Sequence, residues 1–94
     1  MPSPKTATEI DVHVGYRLKR LRREKELSQS ALGRAANVSF QQIQKYERGQ
    51  NRISVGRLWD FCELLEVKPA YFFDGFEDTP RQNAASTPLA AQLS

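Results

Sequence analysis

The chain has 94 residues, 39% of them hydrophobic and 27% charged, and 14 Lys and Arg against 11 Asp and Glu give a net charge of +3. That is room for one small domain with tails, of ordinary soluble globular composition, because a second core would have too little chain left to bury. Apolar runs of only a few residues exclude a transmembrane helix and a signal-peptide core and place the chain in the cytoplasm, while a single cysteine, Cys62, excludes a disulfide framework and a cysteine-based zinc site.

Every aromatic residue lies between Tyr16 and Phe76, and large aromatics are what a small core needs most. Residues 10–76 are therefore read as the folded domain, residues 1–9 as a disordered, proline-containing leader, and residues 77–94 as a flexible Ala, Ser and Pro tail. Within the domain the apolar positions recur at helical spacing and nothing alternates with period two, so the expected class is all-α. The first helix is expected from Asp11, its cap, to Lys25, with Val14, Leu18 and Leu21 as the buried stripe. Ser28 then caps a short second helix with Leu32 and Ala35 inward, and Asn37 makes the turn because it tolerates the left-handed conformation. Ser39 caps a third helix that ends at Arg48-Gly49. Ser54 caps a fourth, in which Leu58, Phe61, Cys62 and Leu65 form a core stripe. Pro69 starts a fifth, short helix through Asp74. Five helices joined by short connections make a compact bundle. Gly33, in the middle of the second helix, costs about 1 kcal/mol relative to Ala and points to close packing of two helices across a tight turn.

The net charge hides an uneven distribution. Residues 1–15 carry −1, residues 58–94 carry −4, and the segment from Tyr16 to Arg57 carries +8. A basic segment of that density is the footprint of a nucleic-acid or anionic-membrane binder, with a solvated helix face as the plainer alternative for any single charge run.

The third helix separates into two faces. Ile43, Tyr46 and Glu47 share one, while Phe40, Gln41, Gln44, Lys45 and Arg48 share the opposite one, with Gln42 on the border. The outward face contains no acid. Glutamine can pair bidentately with adenine, lysine reaches guanine or phosphate oxygens, and an aromatic edge can meet a thymine methyl. A helix needing only solubility would mix charges.

The run LSQSALGRAANVSFQQIQKYERG, from Leu27 to Gly49, resembles the helix-turn-helix of the phage repressor and Cro family, also called the XRE family of bacterial regulators. Its markers are Leu27-Ser28-Gln29, Leu32, Val38-Ser39, Ile43 and Tyr46-Glu47-Arg48-Gly49, and the resemblance extends from about Val14 to Phe73. Three positions depart from the family pattern: Asn37 stands where Gly is usual, Gly33 where Ala is usual, and Phe40 at a position usually polar. The resemblance implies a λ-repressor-like fold and a double-stranded DNA partner in a bacterial or phage setting at the nucleoid. Phe40, Gln41, Gln42, Gln44 and Lys45 would read base edges. Ser28, Gln29, Arg48, Asn51, Arg52 and Ser54 would hold phosphates, and Arg22 and Glu47 would form a structural ion pair between the first and third helices. Arg17, Arg20 and Arg23 are divided between phosphate and solvent without assignment.

One small domain presents few base contacts, so a homodimer on a pseudo-palindromic operator is the expected form of such a regulator. Tyr71, Phe72, Phe73 and Phe76 are more aromatics than their short segment can hide, which places the dimer contact there together with Trp59. The alternative is that Phe72 and Trp59 close the core of the monomer. A different reading of the same scaffold is a protein-binding module, an antitoxin or anti-regulator, whose tail docks on a partner through Leu89 and Leu93. An enzyme is not expected: His13 stands alone, Cys62 sits in a core stripe, and no catalytic, metal-binding, cofactor or small-molecule constellation can be assembled.

Overall fold

A computed structural model of the chain describes residues 8–76, and among them the secondary structure is helical throughout. The expected leader and tail, including Leu89 and Leu93, lie outside these residues except for Thr8 and Glu9, which open the first helix. Helix α1 (Glu9–Glu24) begins ahead of Asp11 because Thr8 takes the capping position. Asp11 sits three residues on, and its carboxylate accepts from the Thr8 backbone N–H and from the Thr8 hydroxyl, both at 2.9 Å. A carboxylate in the first turn also suits the positive end of the helix dipole.

Helices α2 (Gln29–Ala36) and α3 (Phe40–Glu47) follow. Ser28 Oγ accepts from the Ala31 N–H at 2.9 Å and Ser39 Oγ from the Gln42 N–H at 3.1 Å, so each serine satisfies an amide that the helix itself leaves without a partner. Asn37 adopts the left-handed conformation with φ 59° and turns the chain between the two helices. Gly33 faces that turn. A Cβ on it would lie 2.5 Å from the Val38 carbonyl oxygen, so any larger residue would push α2 and α3 apart. Ala35, expected inward, is exposed, and Ala36 is buried in its place. Leu32 and Ala36 are i and i+4 and stack on one face, whereas Ala35 is turned away by one residue's rotation.

Helix α4 (Val55–Leu65) is capped by Ser54 Oγ, which accepts from the Arg57 N–H at 3.1 Å. It ends on Glu66 in the left-handed region, φ 59°, with the Val67 N–H closing onto the Cys62 carbonyl at 3.0 Å. The expected fifth α-helix is instead a 3-10 turn, Pro69–Phe73. Five residues make little more than one turn, and the tighter winding is the common outcome for so short a piece. The bundle thus has four α-helices and a closing turn among the described residues.

Leu18, Leu32, Ile43, Phe61 and Phe72 form the fully buried centre, joined by Val14, Leu21, Cys62 and Leu65. Tyr46 packs edge-on against Phe61, ring centroids 6.1 Å apart. Phe72 was expected at an interface between copies, but it has 0% exposure and fills the monomer core; a side chain with no exposed surface cannot meet a partner. Tyr71 is half-buried over α1, where the Arg17 guanidinium stacks 3.9 Å from its ring centre. Phe76 is half-buried too, and its ring lies 5.5 Å from that of His13. Trp59 does not close the core, since 55% of it remains exposed. A close approach that the pattern of apolar residues does not reveal sets α3 against α1. Gly15 lies directly beneath the end of α3, and a Cβ there would collide with the Tyr46 carbonyl oxygen.

Candidate nucleic-acid interface

The outer side of α3 is built from Phe40, Gln41, Lys45 and Arg48, all exposed, with Gln42 and Gln44 half-exposed beside them. Ile43 and Glu47 are buried on the other side and Tyr46 is half-buried. A helix of eight residues would be marginal by itself, so its position depends on that inner side and on the Ser39 cap. The two ends of the outer face are held differently. Near its start, Gln42 Nε2 donates to Asn51 Oδ1 at 3.1 Å, which ties α3 to the loop before α4. Near its end, the buried carboxylate of Glu47 anchors the helix to α1 and α2.

Arg22 Nε lies 2.6 Å from Glu47 Oε2, and a second guanidinium nitrogen lies 3.1 Å from Oε1. Arg22 also donates to the Leu27 carbonyl at 2.7 Å, and Gln29 Nε2 donates to Glu47 Oε1 at 3.0 Å. The Glu47 side chain is only 2% exposed. Such a bidentate pair in a low-dielectric setting keeps both charges only because the remaining hydrogen-bonding groups are met. Among the described residues no buried side-chain nitrogen or oxygen lacks a partner.

The phosphate candidates are spread around this frame. Ser28 and Ser54 spend their hydroxyl acceptors on helix caps. Gln29 leans on Glu47, Asn51 on Gln42, and Arg48 is exposed at the end of α3. Arg52 reaches back across the molecule to Asp11, with nitrogen–oxygen distances of 3.0 to 3.2 Å. Burial of the Asp11 carboxyl opposes its charge, yet hydrogen bonds from Arg52 and Thr8 outweigh that and hold the acid below its ordinary 3.8. This role for Asp11 has a signal in the sequence: Thr8 and Asp11 have the spacing of a reciprocal cap, which shifts the helix start to Thr8.

Much of the central positive charge is engaged by the fold. Arg17 donates to the Tyr71 carbonyl at 2.9 Å and faces Asp74, Arg20 pairs with Glu24 one turn on, and Arg57 donates to the Ala36 carbonyl at 2.8 Å beside Asp60. His13 Nε2 donates to the Asp74 carbonyl at 2.7 Å, fastening the end of the domain to α1. Burial, aided by Glu63, pushes the Cys62 thiol up from its ordinary 9.0, so it behaves as a small apolar group.

The helix-turn-helix model of the HTH_3 family matches residues 18–72. An uncharacterized HTH-type transcriptional regulator of Sinorhizobium fredii, y4aM, is 42% identical over 87 residues, 93% of this chain, and this chain spans only 61% of that relative's length. An uncharacterized transcriptional regulator in the ATPase CF(0) region of Rhodospirillum rubrum is 49% identical over 79 residues, covering 82% of this chain and 73% of the relative. Among solved structures, the restriction-modification controller protein C.AhdI from Aeromonas hydrophila superposes with a TM-score of 0.63 at 31% identity, over 66% of this chain and 94% of that one. These relatives are named as transcriptional regulators and not as enzymes. With the matched model spanning most of the described domain, the chain belongs to the HTH_3 helix-turn-helix family, of the phage repressor and Cro (XRE) type.

Proposed function

We propose that the chain is a sequence-specific, double-stranded DNA-binding transcriptional regulator of the cytoplasm, acting as a homodimer on a pseudo-palindromic operator with α3 in the major groove. The observation that carries this reading is the outer side of α3, where amides, Lys45 and Phe40 face solvent while the helix's one acid, Glu47, is turned inward and neutralised. Gln41, Gln44 and Lys45 read base edges, and Phe40 meets a thymine methyl. Gln42 has one N–H committed to Asn51 and keeps its second N–H and its oxygen, the pair a bidentate contact with adenine requires. Around them Ser28, Gln29, Arg48, Asn51, Arg52 and Ser54 hold the phosphate backbone, the serines through the amides of the helix starts they cap.

The copies pair through apolar side chains that the closed core leaves outside. Trp59 and Val55 stand one turn apart on α4, and Phe73 keeps 47% of its surface exposed. Two such domains present their α3 helices to half-sites about 34 Å apart. The names of the relatives support the regulator reading, and the likeness of the fold to C.AhdI, a restriction-modification controller protein, agrees with it. Selecting bound duplexes from a random library tests it. The expected product is an inverted repeat with half-sites one helical turn apart; recovery of random sequence, or of an unrepeated motif, rejects the specific homodimer.

A further inference from the structure

The arginines and lysines of α1 that lack an assigned role are separated by the fold into two kinds. Arg17 and Arg20 face Asp74 and Glu24. Lys19 and Arg23 have no ion pair or side-chain hydrogen bond among the described residues, and they stand one turn apart on the same side of α1. Both line a surface depression of about 390 Å³ whose other walls are Gln29 at the start of α2, Gln44 on α3 and Arg48 just past the end of α3. Its floor is the Arg22–Glu47 pair.

The geometry points to this depression as a seat for a phosphate of the DNA backbone, with Lys19 and Arg23 as its cationic wall, a step that rests on the DNA-binding reading above. Glu47 is the one acid there, and both of its oxygens are taken up by Arg22 and Gln29, so it offers no net repulsion to an anion. Three cations, Lys19, Arg23 and Arg48, line one open space in which Glu47 is the only carboxylate among the lining residues. Gathering like charges is unfavourable by itself, and an anion held between them relieves it. The position fits a backbone contact, since the depression borders α3, the helix proposed above to enter the groove, and Arg48, just past the end of α3, is already assigned to a phosphate. The two non-bridging oxygens of a phosphodiester match Lys19 as a point charge and Arg23 as a planar fork.

The test is the salt dependence of binding for Lys19→Ala/Arg23→Ala, measured on the selected operator and on a random duplex. Arg20→Ala serves as a control that removes charge from the same helix on its Glu24-paired side. Each phosphate contact contributes about −0.9 to the slope of log K against log salt. With one seat in each of the two copies, the double variant should therefore lose close to two units of slope on both duplexes, so that the affinity lost between about 50 and 200 mM salt shrinks roughly tenfold, while Arg20→Ala keeps the wild-type slope and all three proteins keep the same circular dichroism. An unchanged slope in the double variant, or an equal fall in Arg20→Ala, overturns the seat. A wild type that binds both duplexes equally would instead defeat the specific regulator, and the slope would still decide the seat, because a phosphate contact carries no sequence information.

Discussion

Two ion pairs tie α1 to the segment that carries α3, and they are not equivalent. Arg22–Glu47 is buried, bidentate and shared with Gln29 and the Leu27 carbonyl. Arg52–Asp11 joins the same helix to the loop after α3, with the Arg52 side chain 53% exposed. Both use the same chemistry, yet burial separates their consequences. Inside, losing one partner strands a charge in a medium that cannot solvate it, whereas outside, water and salt replace the lost partner. The inner pair therefore sets the position of α3, while the outer pair leaves at the surface an arginine that is proposed above to hold a phosphate.

The sharpest way to break this comparison is at Glu47. Glu47→Ala should destabilise the domain by about 3–5 kcal/mol, because Arg22 is left buried and uncompensated, and urea unfolding followed by circular dichroism reads the loss. Arg22→Met/Glu47→Leu should restore a large part of it, since no charge is then stranded; a double variant as unstable as the single one would mean that packing around Gly15 and Gly33, not the charge, sets the cost. At the outer pair Asp11 is itself only 10% exposed, but Asn can still accept from Thr8 and the Arg52 left behind is open to water, so the same measurement on Asp11→Asn should give a smaller loss, about 1 kcal/mol. A loss equal to that of Glu47→Ala would erase the distinction.

The acid limb of stability gives a smaller and finer reading. The carboxyl of Asp11 is held below 3.8 in the folded domain, so its contribution is complete above the unfolded value and disappears as the pH falls from about 4 through the lower folded value. Asp11→Asn should flatten the pH dependence of the melting temperature in that window and leave it unchanged at pH 7 to 8. A flattening confined to neutral pH would contradict the assignment.

Fold class was legible because it depends on patterns that extend over many residues. The Val14, Leu18, Leu21 stripe is buried, as is the Leu58, Phe61, Cys62, Leu65 stripe apart from a half-buried Leu58, and Ser28, Ser39 and Ser54 cap the helices they precede. Misreadings arose where a single residue's partner decides the outcome. Asp11 looked like a cap because a carboxylate before an apolar stripe serves either as cap or as third residue, and only the Thr8 hydroxyl distinguishes them. Phe72 looked available because four aromatics crowd a short segment, but a 3-10 turn directs one of them wholly into the core. The outer face of α3 was readable from helical projection alone. Its supports were not, since the Gln42–Asn51 and Arg52–Asp11 bonds join residues 9 and 41 positions apart and leave no local periodicity.

Gln44 gives the most direct test of the central claim that the outer side of α3 reads DNA sequence while the inner pair only holds it in place. Base preferences should be determined by library selection for the wild type and for Gln44→Ala. Preference should relax at one base pair, symmetrically in both half-sites, with operator affinity falling by about 1–3 kcal/mol and random-duplex affinity unchanged. An unaltered preference at every position, or an equal loss on operator and random duplex, would contradict the account.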